Sequence, residues 1–586
     1  MRVQVPVLIK DPSVSQWKDL PLAEPFEIEN EDVYLDGPVS RRVAVLDFEP
    51  GSGRLRLGAR FIPPEKPDGV GRYEVPMSGD LANPAFVQAA VFGGVHKTIA
   101  MFEEPDALGR RIRWGFGGPQ LLVVPRAGEW ANAFYERDSR SLQFFFFPSV
   151  SGDEMVYTCH SQDIIAHESA HAVIDGVVPD IYDAVSPQSL AIHEATADIA
   201  TLLMAFRSRK LTTRVLEQRG YSLDKSNVFT GVAEHFAIGL GKRHDVLREL
   251  NNDRTMKDKN LDRGEPHALS EVLSGALYRV LVRIYEELRS APAADEAPAG
   301  KVALRAEYEQ WRRSDDPAAQ RFQSGSRDAA MAAGRALWIA SERFKRTVLR
   351  GLDYLPPGEV SFVDFGRAIL ASDEASHPDS AEQREVLADE FRRRGIVASK
   401  GELDVDTNFE HEALRGVDFE DLLRSDWAAY RFADRSRRLL GIPPRIPFEV
   451  RPRLDVTKSY YHRGEGKKEL RELLFKVAWT VTEPCRAGRR LPNKRRVTRG
   501  ATLAIDWERR IVRAVVKGEH ADAQARDRDA LLARLLDREQ LAVGPEAAGP
   551  DGVLLRGIVR GDVADGALRL RATARALHFL AEADYG

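Results

Sequence analysis

Along residues 1 to about 80, apolar and polar positions alternate around turn signals. The run VYLDGPVSRRVAVLDFEPGSGRLRLGARFIPP predicts two or three strands, with Pro50-Gly51-Ser52-Gly53 as a hairpin tip. Residues 83 to 104 change to helical spacing with no interior proline, and RIRWGF, QLLVVP and SLQFFFFP then return to a strand-like texture. A helix is predicted over 161 to 176: Ser161 suits the N-cap, Asp163 the positive end and Gly176 the stop. Another begins at Ser186-Pro187, with Ile192, Ala195, Ile199, Leu202 and Phe206 at helical intervals. A third covers Leu269 to Leu288, and further helices run to about Gly395. APAADEAPAG (291 to 300) predicts an exposed loop. From 398 the texture becomes mixed, with LLFKVAWTV and ATLAIDWERRIVRAVV as strands, which predicts an α+β module over 398–586.

With 586 residues the chain is too long for one core, and two to four domains are expected. A net charge of -4 gives no global attraction to nucleic acid. No apolar run approaches the roughly 20 residues that span a bilayer, and no membrane partner is expected. The start offers a short apolar patch ended by Lys10 and Asp11, without the regions of a secretory signal. Two cysteines, Cys159 and Cys485, exclude a disulfide framework. The expected location is cytoplasmic.

Candidate chemistry concentrates in DIIAHESAHAVIDG. His167 and His171 lie four apart, so a helix presents both imidazoles to one ion, with Glu168 beside them to take a proton from metal-bound water. Alone, the pattern also fits two histidines satisfied by solvent or core. A catalytic zinc needs a third ligand and an open position. The next helix supplies Glu194, 23 residues beyond His171, and Asp198 one turn on, able to orient a ligating histidine. That acidic pair could equally be an exposed edge. His193 lies about a third of a turn from Glu194 and is read as non-ligating.

Histidine pair, Glu194 and Asp198 together resemble the glutamate-zincins, and residues 80 to 397 resemble thermolysin-type zinc metallopeptidases. Asn132-Ala133-Phe134-Tyr135 is similar to the family segment that binds substrate as an added strand, implying substrate-binding roles for Asn132 and Ala133. The resemblance implies that Tyr182 and His267 stabilise the reaction intermediate, that Arg248 binds substrate, and that Ile164 and Leu247 line a pocket for a bulky apolar residue after the scissile bond. It implies an α+β, two-lobed peptidase: a β-rich lobe over 1–160 and a helical zinc-binding lobe over 161–397, with an insertion near 291–330 and the zinc cleft between the lobes. The expected cofactor is one Zn²⁺ ion and the expected partner a protein or peptide substrate. Asp163 matches one calcium-site position, but Ala205 stands where calcium-dependent members carry an acid, so structural calcium is not expected.

CRAGRRLPNKRRVTR (485 to 499), with seven basic residues and no acid, is read as a solvated hairpin rather than a nucleic-acid patch. His411-Glu412 lacks a second histidine and is assigned no metal role. A regulatory role, capping the cleft or recruiting substrate, is expected of 398–586. Two other functions compete with the endopeptidase: an inactive zincin-fold binding protein, and a zinc aminopeptidase. No glycine- and glutamate-rich motif for a free amino terminus precedes His167, which disfavours the aminopeptidase.

Overall fold

The computed structural model describes residues 1–13, 17, 20–29, 31–242, 246–290, 329–377, 381–462, 466–488, 491–518, 522–543 and 559–572. The predicted loop at 291–300 and most of the insertion lie outside these. Helices and several sheets mix along the chain, as α+β predicts.

Two larger sheets, with the two-stranded pair Phe146–Pro148 and Met155–Tyr157, build the N-terminal part. Arg2–Leu8 runs between Ala23–Ile28 and Val70–Tyr73, with Phe61–Ile62 at the edge. A six-stranded sheet follows the order Tyr34–Leu35, Val39–Ser40, Val43–Val45, Leu121–Val124, Ser141–Phe144, Ala133–Glu136. The last strand pairs antiparallel with its neighbour, Tyr135 opposite Leu142, and leaves its outer side as a sheet edge. The hairpin tip at 50–53 closes a Phe48–Leu55 bridge.

RIRWGF forms no strand. At its second residue side chains take the backbone instead: Glu103 accepts from the Ile112 N–H at 2.6 Å and Arg42 donates to the Ile112 carbonyl at 2.8 Å. With both groups taken, Ile112 has none left for a ladder.

Helix Pro84–Glu103, capped by Asn83, lies between the first strand and the histidine helix, Gln162–Val177. Gly93 and Gly94 allow this approach: a Cβ on Gly93 would fall 2.5 Å from the Pro6 carbonyl, and one on Gly94 2.8 Å from Ile165. The histidine helix packs on Pro187–Phe206, which packs on Pro266–Ser290. Pro84–Glu103 and Pro187–Phe206 are long and apolar enough to cross a membrane, yet both are buried in the core. Gly176 is not the helix stop; it lies inside the last turn, where a Cβ would strike the Arg113 carbonyl. Ser186 precedes its helix without a side-chain cap bond.

The C-terminal residues form a nine-stranded sheet around the long strand Gly466–Pro484. Alternation along the strands sends neighbours to opposite faces. Leu470, Leu474, Ala504 and Val516 join the core of the helical lobe, while Leu473, Phe475, Leu503 and Ile505 build a second core with Phe419, Leu422 and Phe432. The module is therefore not free-standing. Buried polar groups reinforce the shared face: Asp353 holds Arg110 at 2.7 Å and Lys458 at 2.9 Å. At the basic hairpin end three of the five described cations are paired, Arg495 with Glu359 at 2.9 Å and Arg496 and Arg499 with Asp565 and Glu483.

Candidate functional site

The histidine helix starts as its sequence predicts, with Ser161 accepting from the Ile164 N–H. Asp163, in its first turn, is buried against the Lys10 ammonium and accepts from the Ala233 N–H at 3.2 Å. Lys10 also donates to the Gly231 carbonyl at 3.0 Å. A protein cation thus occupies the position where calcium was considered. One turn further, both imidazoles turn toward the neighbouring helix.

There they meet Glu194. His167 Nε2 and His171 Nε2 are 3.0 Å apart, and Glu194 oxygens lie 3.3 Å from the first and 3.4 Å from the second. Tetrahedral zinc with bonds of about 2.0–2.1 Å holds its ligand atoms roughly 3.3 Å apart. Glu194 is fully buried and neither oxygen forms a hydrogen bond among the described residues. An ionised carboxylate left so would be costly. Burial pushes this carboxyl up, but His267, His171 and His167 outweigh it and hold it well below the usual range. The three donors therefore fit a small divalent cation, and His167, His171 and Glu194 are the residues that would hold it.

Behind the donors, Asp198 reaches His167 Nδ1 at 3.1 Å. Arg248 does not extend freely toward a substrate: Nε and Nη2 grip the Asp198 carboxylate at 3.0 and 2.8 Å, and Nη2 lies 3.3 Å from His167 Nδ1. His171 Nδ1 has a partner that sequence reasoning missed. His193 Nδ1 lies 2.6 Å away, with the two rings stacked at 4.7 Å. His193 is fully buried, which pushes its pKa down to about 3, and its Nε2 has no hydrogen-bond partner among the described residues. Helical spacing correctly turns His193 away from Glu194; it could not show that the face it lands on meets the back of His171.

Glu168 accepts from the Tyr135 N–H at 3.0 Å. Burial raises its carboxyl to about 8, with His167 opposing and Glu194 assisting. Because Tyr135 sends its N–H away from the neighbouring strand, the outward side of Ala133–Glu136 faces Glu168. Asn132 opens this strand, its Oδ1 accepting from the Ala133 N–H at 2.8 Å and its carbonyl from the Thr158 hydroxyl at 3.3 Å. His267 enters from the start of Pro266–Ser290. Its Nδ1 lies 2.9 Å from Glu265, which also accepts from the backbone N–H groups of His267 and Ala268, and its Nε2 lies 3.5 Å from Glu194. Burial works against charge on this ring, but Glu194 and Glu265 prevail and raise its pKa.

Tyr182 stands further back. Its ring lies 5.8 Å from Tyr135, 5.7 Å from His193 and under the Arg137 guanidinium, and its hydroxyl is buried without a partner among the described residues. Ile164 is buried and Leu247 half-buried against the same core. A second acidic group, Glu104, Asp106 and Glu342, converges on the Lys345 ammonium, with Arg207 2.7 Å from Glu104 and Arg346 3.6 Å from Asp106, so side-chain cations already balance it. His411 caps a short 3-10 turn through the Ala413 N–H.

No protein-family model and no curated protein matches the chain.

Proposed function

We propose that the chain is a zinc-dependent endopeptidase of two-lobed, thermolysin-like architecture, with the cleft between the edge strand Ala133–Glu136 and the helices bearing His167, His171 and Glu194. The observation that carries this reading is Glu194: a fully buried carboxylate without a hydrogen bond among the described residues, 3.3 to 3.4 Å from two imidazole nitrogens. When bound there, zinc supplies an activated water and polarises the scissile carbonyl.

The protein's own groups then have distinct tasks. Glu168, beside the donor set and held by the Tyr135 N–H, takes the attacking water's proton and passes it to the leaving amine. His267, with Nδ1 fixed by Glu265, presents Nε2 as a donor to the developing oxyanion. The outer edge of Ala133–Glu136 and the Asn132 side chain align the peptide as an added strand. Arg248 and Asp198 hold the His167 ring from behind.

Two measurements test this reading: zinc content of the purified protein, and cleavage of a peptide blocked at its amino terminus. Glu168→Gln should keep the metal while losing about 10²–10⁴ in turnover. A metal-free protein, or full activity in that variant, overturns it. Cleavage restricted to peptides with free amino termini would point to an aminopeptidase.

A further inference from the structure

The edge strand Ala133–Glu136 does not leave its outer donors open. Along an antiparallel strand, N–H groups point alternately toward the paired neighbour and toward the open side. Tyr135 points to the open side, and Ala133, two residues earlier, shares it. Side chains of the site take both donors. Asn132 Oδ1 accepts from the Ala133 N–H at 2.8 Å, and Glu168 from the Tyr135 N–H at 3.0 Å. The histidine helix packs against the same stretch, leaving Glu168 3% and Tyr135 1% exposed.

An edge with open donors pairs with extended chains indiscriminately, and capping the donors prevents this. One of the caps has a second position to serve. The Glu168 carboxylate also lies within 4.8 Å of a ring nitrogen of His167 and of His171. The oxygen bound to the Tyr135 N–H is committed to the backbone while the strand is bare.

We propose that strand addition releases the base: a substrate carbonyl takes the Tyr135 N–H from Glu168, which frees the carboxylate to accept a proton beside the donor set. This inference rests on the peptidase reading and names its substrate class, an extended polypeptide segment that lays a backbone carbonyl on Tyr135. One acceptor replaces another on the same N–H, so the exchange costs little for a chain that supplies the carbonyl. A chain that lacks it still meets the donor set but leaves Glu168 tied to the strand. It loses turnover rather than affinity.

The contact is tested first without turnover. In protein labelled with nitrogen-15 tyrosine, the Tyr135 amide is the signal lost in Tyr135→Phe, and Glu168→Ala should move its proton upfield. The probe is an acetylated, amidated alanine peptide with one central leucine, about eight residues long and about 26 Å as a strand. In a companion series each carbonyl in turn is replaced by methylene. With Glu168→Gln the intact peptide should shift the Tyr135 signal, and one member of the series should fail to do so. Wild type should cleave that member with kcat lower by about tenfold or more, the weight of a hydrogen bond to a charged group, and KM changed by less than about threefold. With cleavage by wild type intact, a Tyr135 signal unmoved by Glu168→Ala or by the intact peptide, or a loss confined to KM, overturns the proposal alone. No cleavage of the intact peptide by the zinc-loaded protein overturns the peptidase reading and this inference with it.

Discussion

Replacing His193 by leucine isolates one contact whose worth depends on the metal. For His171 to offer Nε2 to a cation, its proton must sit on Nδ1. That N–H then needs an acceptor, and His193 Nδ1 stands 2.6 Å away in a region with no access to water. Leucine keeps the volume and removes the acceptor. Partners of this kind typically contribute 10–100-fold to metal affinity, or about 1.4–2.7 kcal/mol. Without metal the cost should be smaller, because His171 can move its proton to Nε2 and face Glu194 at 3.4 Å. Asparagine can supply a replacement acceptor and should retain most of the affinity. The assay is competition against a chromophoric zinc chelator, with urea unfolding of the metal-free protein alongside. Leucine affinity within twofold of wild type, or equal losses for leucine and asparagine, would refute the tautomer argument.

Two predictions concern stability. Lys10→Met leaves Asp163 buried without its counter-ion and should cost about 3–5 kcal/mol in urea unfolding, much of it recovered by adding Asp163→Asn. His96 is buried, which lowers its pKa to about 3, with the Arg42 and Arg111 charges acting in the same direction. The unfolded state therefore takes up this proton first, at about 6.5, and stability falls as pH drops below that value. Between pH 8 and pH 5 the loss from this group alone should approach about 2 kcal/mol. His96→Gln should flatten that part of the pH profile; an unchanged profile sinks the assignment.

What could be read from the residues follows the range of the forces involved. Helices were legible because their apolar spacing is local, and the histidine pair because four residues make one turn. Glu194 was legible at a distance of 23 residues because Glu194 and Asp198 lie one turn apart on a single helix, although every side of that helix is buried. RIRWGF was not, since its strand-like composition says nothing of Glu103 and Arg42 capturing the backbone of Ile112. Lys10 and Asp163 lie 153 residues apart, and no periodicity connects them. Alternation in LLFKVAWTV was visible, but not that Leu473 and Leu474 would serve two different cores.

The turn that presents His267 has an outer support from much later in the chain. Helix Asp522–Asp537 lays Leu531 beside Gly264, and Arg534 pairs with Asp262. At about 5–20 residues per second, a ribosome that has just made Gly264 needs about 15–50 s more to reach Leu531. Until then a nascent chain holds His167, His171, Glu194 and Glu168 but lacks the brace beneath His267. Under the proposed peptidase reading, the site would be completed only after helix Asp522–Asp537 has been made, so that synthesis itself delays its assembly.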